Sequence, residues 1–218
     1  MTRHADTPRA VPDPLAAPDG PARGDARLDA PTELADGADR LVVFGESVER
    51  SAAGFRRVGP AGAAEAVIAV LEAHGARTAA LAADLGPHLD AVAEACRAAG
   101  IETVAYADAA AGSRERLGAI EAGVTGCSAA IAATGSVVMS ASAGRGAGLV
   151  APLHLCVVRE EQVLGGLTDL LREHARLGTG SLTAIQTGPS RSADIEKTLV
   201  IGAHGPCAVE VVLVAGDA

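Results

Sequence analysis

From Leu41 onward, short apolar runs alternate with amphipathic stretches, and that alternation predicts most of the fold. Apolar positions at helical spacing, each closed by glycine or opened by proline, predict helices over Ala63–His74 and Pro87–Ala99. Shorter helices are predicted over Arg114–Glu121, Leu167–Leu177 and Ala193–Ala203. Continuous apolar runs at Thr78–Ala82, Ile101–Tyr106, His154–Val158, Leu182–Gln186 and Ala208–Val214 predict buried strands, and Leu41–Phe44 reads as another. Residues 45–59 give no clear period. Val124–Met139 is almost wholly small or apolar, interrupted at Thr134-Gly135, and predicts two strands joined by a tight turn. Buried strands alternating with helices define a layered α/β fold with a mostly parallel sheet flanked by helices. No internal repeat is visible.

Residues 1–38 differ. Pro8, Pro12, Pro14, Pro18, Pro21 and Pro31 lie there among Ala, Asp, Gly and Arg, without apolar periodicity. Such a segment buries too little surface to offset its ordering entropy, so it is expected to be a mobile tail. Residues 39–218 then form a single α/β domain.

Composition narrows the partners. Hydrophobic residues make up 49% of the chain, yet there are two Phe, one Tyr and no Trp, so the core is aliphatic. That poverty removes the aromatic platforms used for single-stranded nucleic acid, and a net charge of -9 removes a phosphate-binding stripe. No apolar run matches a membrane span and no signal-peptide pattern is present, which sets the expectation of a cytoplasmic protein. Cys96, Cys127, Cys156 and Cys207 are far apart in sequence and in apolar settings, so each is expected to be a buried thiol rather than a zinc or iron–sulfur ligand.

The richest chemistry lies in Thr187-Gly188-Pro189-Ser190-Arg191-Ser192-Ala193-Asp194-Ile195-Glu196. With a strand before it and a helix predicted after it, this turn would place hydroxyls, free N–H groups and Arg191 at a helix N-terminus, a setting that suits an anion. Thr134 and Gly135 could let a ligand approach the backbone closely, and His154 opens a strand from which it could face a crevice. Gly188, Ser190, Arg191, Asp194, Thr134, Gly135 and His154 are therefore the candidate ligand-binding residues. Asp194 is equally served by dipole complementarity, and the rise of the predicted helix separates it from His204. Gly144-Arg145-Gly146-Ala147-Gly148 has the wrong spacing for a dinucleotide loop, and neither a Walker A sequence nor a nucleophile elbow occurs.

Three motifs together resemble the lactate-utilisation protein C family of LUD-domain proteins. They are Gly123–Cys127 running on to Ile131–Ser136, then Pro152-Leu153-His154, and the Thr187–Glu196 stretch closed by Gly202-Ala203-His204-Gly205-Pro206. The resemblance implies a fold similar to the NagB/RpiA/CoA-transferase-like and 5-formyltetrahydrofolate cyclo-ligase-like group. It implies a cytoplasmic subunit supporting L-lactate oxidation to pyruvate, with iron–sulfur clusters on partner proteins and no cofactor of its own. Ala133 stands where the family usually has an acidic residue, and Ser128 where Asp is common. The fold resemblance leaves open a nucleotide- or CoA-binding enzyme, and the mobile tail leaves open a non-catalytic interaction protein.

Overall fold

The computed structural model describes residues 32–106, 118–140, 146–177, 183–193, 199–201 and 205–216. Its first element, helix α1 (Arg40–Arg50), replaces the strand expected at Leu41–Phe44. Leu41, Phe44 and Val48 recur at helical spacing and are all buried on one face, and the Asp39 carboxylate accepts the Leu41 N–H at 2.9 Å as the N-cap. The local Val-Val-Phe run suggested a strand, but the longer period and the cap decide the matter. Asp39→Ala is expected to cost about 1 kcal/mol, a fall of about 2–4 °C in melting temperature by calorimetry.

Strands β1 (Gly54–Val58), β2 (Thr78–Leu81), β3 (Glu102–Ala105) and β4 (Ala122–Thr125) follow, with helices α2 (Ala63–Ala73) and α3 (Leu89–Ala98) between them. Then come β5 (Ala129–Ile131), β6 (Ser136–Ser140), the short helix α4 (Ala147–Val150), β7 (Leu153–Arg159), β8 (Val163–Leu164) and helix α5 (Leu167–Leu177). The chain closes with β9 (Thr183–Gln186), β10 (Arg191–Ala193), β11 (Leu199–Ile201) and β12 (Ala208–Val214). A six-stranded sheet runs in the order β1-β12-β7-β4-β2-β3 with every pairing parallel. A four-stranded sheet in the order β8-β5-β6-β9 carries the antiparallel pairing expected within Val124–Met139, while β4 belongs to the large sheet.

Both faces of the large sheet are covered, which is why its strands read as unbroken apolar runs. Leu155 and Val157 of β7 pack under α2 and α3 with Val67, Val70, Leu71 and Val92. The alternate residues Cys156 and Val158 join Phe44 and Val48 of α1 and Ala130, Val137 and Val163 of the small sheet. The small sheet's other face (Ala129, Ile131, Val138) receives Leu170 of α5. Residues 32–34, assigned to the tail from sequence, touch this layer. Leu34 packs against the α1 core, and the Glu33 carboxylate accepts the Thr168 N–H and hydroxyl at 3.0 and 2.6 Å, at the start of α5.

The helix expected over Ala193–Ala203 is replaced by a β pair. Arg191, Ser192 and Ala193 pair antiparallel with Ile201, Val200 and Leu199. Leu199-Val200-Ile201 is a β-favouring run whose pairing outweighs the helical spacing read across it. Asp194, Arg145 and His204 lie outside the described residues.

Candidate functional site

The three sequence motifs, distant along the chain, meet at one end of the small sheet. Thr134 and Gly135 form the turn between β5 and β6, and Thr187 and Gly188 follow β9, which pairs with β6. The Thr134 and Ser136 hydroxyls lie 2.6 Å apart, and the Ser136 and Thr187 hydroxyls also 2.6 Å, so the two turns are joined by a hydroxyl chain. Beyond Gly188, the Ser190 N–H donates to the Pro206 carbonyl at 2.9 Å, and the Cys207 N–H donates to the Pro152 carbonyl at 2.8 Å. Gly188–Ser190, Gly205-Pro206 and Pro152–His154 are thereby stitched into one continuous patch.

Gly135 and Gly188 both have φ of +66°. A Cβ on Gly135 would lie 2.4 Å from the Ser47 carbonyl carbon and the Val48 nitrogen, and one on Gly188 would lie 2.3 Å from the Ser51 carbonyl oxygen. The two turns therefore press their bare backbone onto the last turn of α1 and its C-cap, and only glycine fits there. Ser47 adds a hydrogen bond from its hydroxyl to the Ala133 carbonyl at 3.3 Å. Ala133 is packed into this junction at 2% exposure.

His154 is placed differently. It is wholly buried, its Nε2 lies 2.9 Å from the Thr125 hydroxyl, and a Cβ on Gly148 would collide with its ring. Burial holds its pKa down to about 4, while the neighbouring Gln186 side chain works in the opposite direction. His154 Nδ1 and Gln186 Oε1 are both buried without a hydrogen-bond partner. Gln186 pairs in register with Val137, which packs towards the large sheet, so by strand alternation Ser136 and Thr187 face the other way. The wall expected from Thr134, Gly135 and His154 together is thus divided between the two faces of the small sheet. His154 also sits near the amino end of β7, not at a carboxyl-end crevice.

With Arg191–Ala193 in a strand, no helix N-terminus stands behind Gly188, Ser190 and Arg191 among the described residues. What remains for an anion is hydroxyls and the cation expected of Arg191, whose backbone opens β10. Cys96, Cys127 and Cys156 are buried as expected, but Cys207 is exposed, beside Pro206 at the approach to β12.

A second cluster was not read from the sequence. β2 leads to β3 on one side and β4 leads to β7 on the other, so the topological switch point of the large sheet lies between the carboxyl ends of β2 and β4. There Asp84 accepts the Gly126 N–H at 2.9 Å, and burial pushes its carboxyl pKa up against the lowering effect of that bond. The Gln162 carboxamide donates to the Cys127 carbonyl at 2.5 Å, and the Cys156 thiol donates to the Gly126 carbonyl at 3.4 Å. Contact with the Cys127 thiol, followed by burial, pushes the Cys156 thiol well up. An acid just beyond the strand predicted at Thr78–Ala82 was the available signal, but strand order is needed to give it meaning. No group of three or more His, Cys, Asp or Glu side chains suited to a metal ion occurs among the described residues. No described helix is long and apolar enough to cross a membrane.

A doubly covered parallel sheet, with a smaller sheet bearing two glycine turns at the patch, is the class that fold and site define. The LUD domain profile matches residues 44–214, and the chain belongs to that family. Curated relatives named lactate utilization protein C are 32% identical over 106 residues in Deinococcus radiodurans and 33% identical over 99 residues in Bacillus subtilis. Those alignments cover 47% and 42% of this chain and 50% and 41% of the relatives, so the chain spans about half or less of the proteins it matches. The crystal structure of a DUF162 family protein from D. radiodurans superposes with a TM-score of 0.60 over 81% of this chain and 99% of that one, at 23% identity, a likeness of fold.

Proposed function

We propose that this chain is a cytoplasmic lactate-utilisation subunit. In this reading it supports L-lactate oxidation to pyruvate alongside iron–sulfur partner proteins, and binds a small organic or phosphorylated anion. The observation that carries the binding is the linking of the Thr134–Ser136 and Thr187–Ser190 segments through Ser136 and Thr187, and of Ser190 through Pro206 and Cys207 to Pro152. The family membership and the relatives' names support the pathway. Gly188, Ser190, Arg191 and Thr134 form the proposed contact set, with the Arg191 guanidinium as the charged partner of the anion. Gly135 shapes the turn beside them. His154 is assigned to the support beneath the small sheet, because it is buried and neutral near pH 7.

The test is calorimetric titration of L-lactate, pyruvate and inorganic phosphate into the full chain and into Arg191→Ala. Wild type is expected to bind one of these anions, and Arg191→Ala to bind it at least tenfold more weakly. Equal affinities would remove Arg191 from the site. Co-purification of iron–sulfur proteins from the native cell tests the assembly.

A nucleotide- or CoA-binding enzyme is the second reading, favoured by Asp84 and Gly126 at the switch point, where open α/β sheets place such ligands. Thermal-shift screening with ATP and CoA separates it from the first.

A further inference from the structure

Three hydroxyls stand in series between the two glycine turns: Thr134 Oγ1, Ser136 Oγ and Thr187 Oγ1, with both separations at 2.6 Å. Each hydroxyl carries one proton, and two are consumed by the two links. When the chain runs head to tail, which keeps the proton of the buried Ser136 in a bond, one proton is left at an end, and because either direction is open to the hydroxyl rotors it can be offered at Thr134 or at Thr187. Hydroxyls in series also polarise one another, which strengthens the terminal donor. Ser136, in the middle, is 1% exposed, Thr134 is half-buried, and Thr187 is exposed, so a buried hydroxyl links two more accessible ends, of which Thr187 is the one at the surface. Ser190 sits across the Gly188-Pro189 turn from Thr187. Its N–H is committed to Pro206 at 2.9 Å, which fixes the backbone that carries its hydroxyl beside Gly205.

We propose that the Thr134–Ser136–Thr187 hydroxyl chain and the Ser190 hydroxyl form a single oxyanion-binding site, taking a carboxylate or phosphate oxygen across the Gly188-Pro189 turn. The proposal rests on the anion-binding reading above and adds Ser136 and Thr187 to it. Ser136 acts at one remove: it touches no ligand and sets the direction and strength of the donor that Thr187 presents. Neutral hydroxyls replace the helix N-terminus that the sequence suggested, so recognition rests on aimed donors rather than on a dipole.

The experiment is titration of inorganic phosphate, L-lactate and pyruvate, in separate arms, into the full chain and into Ser136→Ala, Thr187→Val, the double variant and Arg191→Ala. Ser128→Ala, whose hydroxyl bonds the Val138 carbonyl elsewhere on the same sheet, is the control. Tightest binding in the phosphate arm identifies a phosphorylated ligand, and in the lactate or pyruvate arms a carboxylate. Ser136→Ala and Thr187→Val are each expected to weaken the best anion at least tenfold, and Ser128→Ala to leave it unchanged. The double variant is expected to lose little more than either single variant, because a chain is broken only once. Thr187→Val keeps the β-branched shape at an exposed position and so remains folded even where Ser136→Ala does not. Affinity within twofold of wild type in Thr187→Val, with Arg191→Ala still weakened, would overturn the hydroxyl chain and leave the anion site standing. Absence of binding by wild type in every arm would overturn both.

Discussion

Gly135→Ala is expected to lower the unfolding free energy by about 3 kcal/mol or more, and Gly188→Ala by a similar amount. For a domain of this size that is a fall of roughly 6–12 °C in melting temperature. Two penalties add. A left-handed backbone costs a non-glycine residue about 1–2 kcal/mol. The new methyl would also lie 2.4 Å from α1 backbone at Gly135 and 2.3 Å from the carbonyl oxygen of the α1 C-cap, Ser51, at Gly188, and backbone held there does not yield as a flexible side chain would. Gly100 separates the two terms, since its φ is +73° but nothing lies within 4 Å of a Cβ there. Gly100→Ala is expected to lose only about 1 kcal/mol, the backbone share. If Gly135→Ala and Gly100→Ala melt within a degree or two of each other, the close seating on α1 is not the constraint. Anion affinity should fall with Gly135→Ala and Gly188→Ala and hold with Gly100→Ala, because the first two move the turns that carry Thr134, Thr187 and Ser190.

The second large effect is a loss of stability in acid that traces to His154. Its pKa is about 4 in the folded protein against 6.5 as the ordinary value. Above pH 6.5 neither state binds a proton there. Between pH 6.5 and about 4 the unfolded chain takes up the proton and the native state does not, so stability falls as pH falls. Below about 4 both states are protonated and the loss is complete, at about 3 kcal/mol. Carboxylates held low by hydrogen bonds, such as Glu121 with the Arg77 and Thr78 N–H groups, add losses near and below pH 4.5. Asp84 works the other way, since its raised pKa favours the folded state as pH falls. The His154 share is isolated by comparison with His154→Gln, which cannot titrate. Urea unfolding from pH 8 to pH 4.5 should show the wild-type advantage shrinking by about 2–3 kcal/mol across that range. A wild-type curve parallel to that of His154→Gln throughout would mean that His154 is not held neutral.

The layered α/β fold was legible because its strands are buried on both faces and its helices carry clear stops. Thr78–Leu81, Leu153–Arg159 and Ala208–Val214 needed no more than their apolar runs. The two failures have different causes. At Leu41–Phe44 the strand reading used too short a window, since the Asp39 cap and the buried Leu41, Phe44 and Val48 at helical spacing make the helix. At Ala193–Ala203 the helical spacing was overridden by the local pairing of β10 with β11.

The candidate site divides in the same way. Composition and motif by themselves singled out the segments proposed for binding: Thr134-Gly135, Pro152–His154 and Gly188–Asp194, in an acidic, aromatic-poor chain without clustered cysteines. Only the tertiary structure decided how those segments meet. It removed the helix N-terminus, put His154 on the far side of the small sheet from Ser136 and Thr187, and showed that Gly135 and Gly188 are seats for α1. The reason is physical. A residue's type and its local period are properties of the sequence, whereas the face it occupies and the donors it meets depend on strand register. Shifting the pairing by one residue would exchange every inward and outward side chain without changing a letter of the sequence.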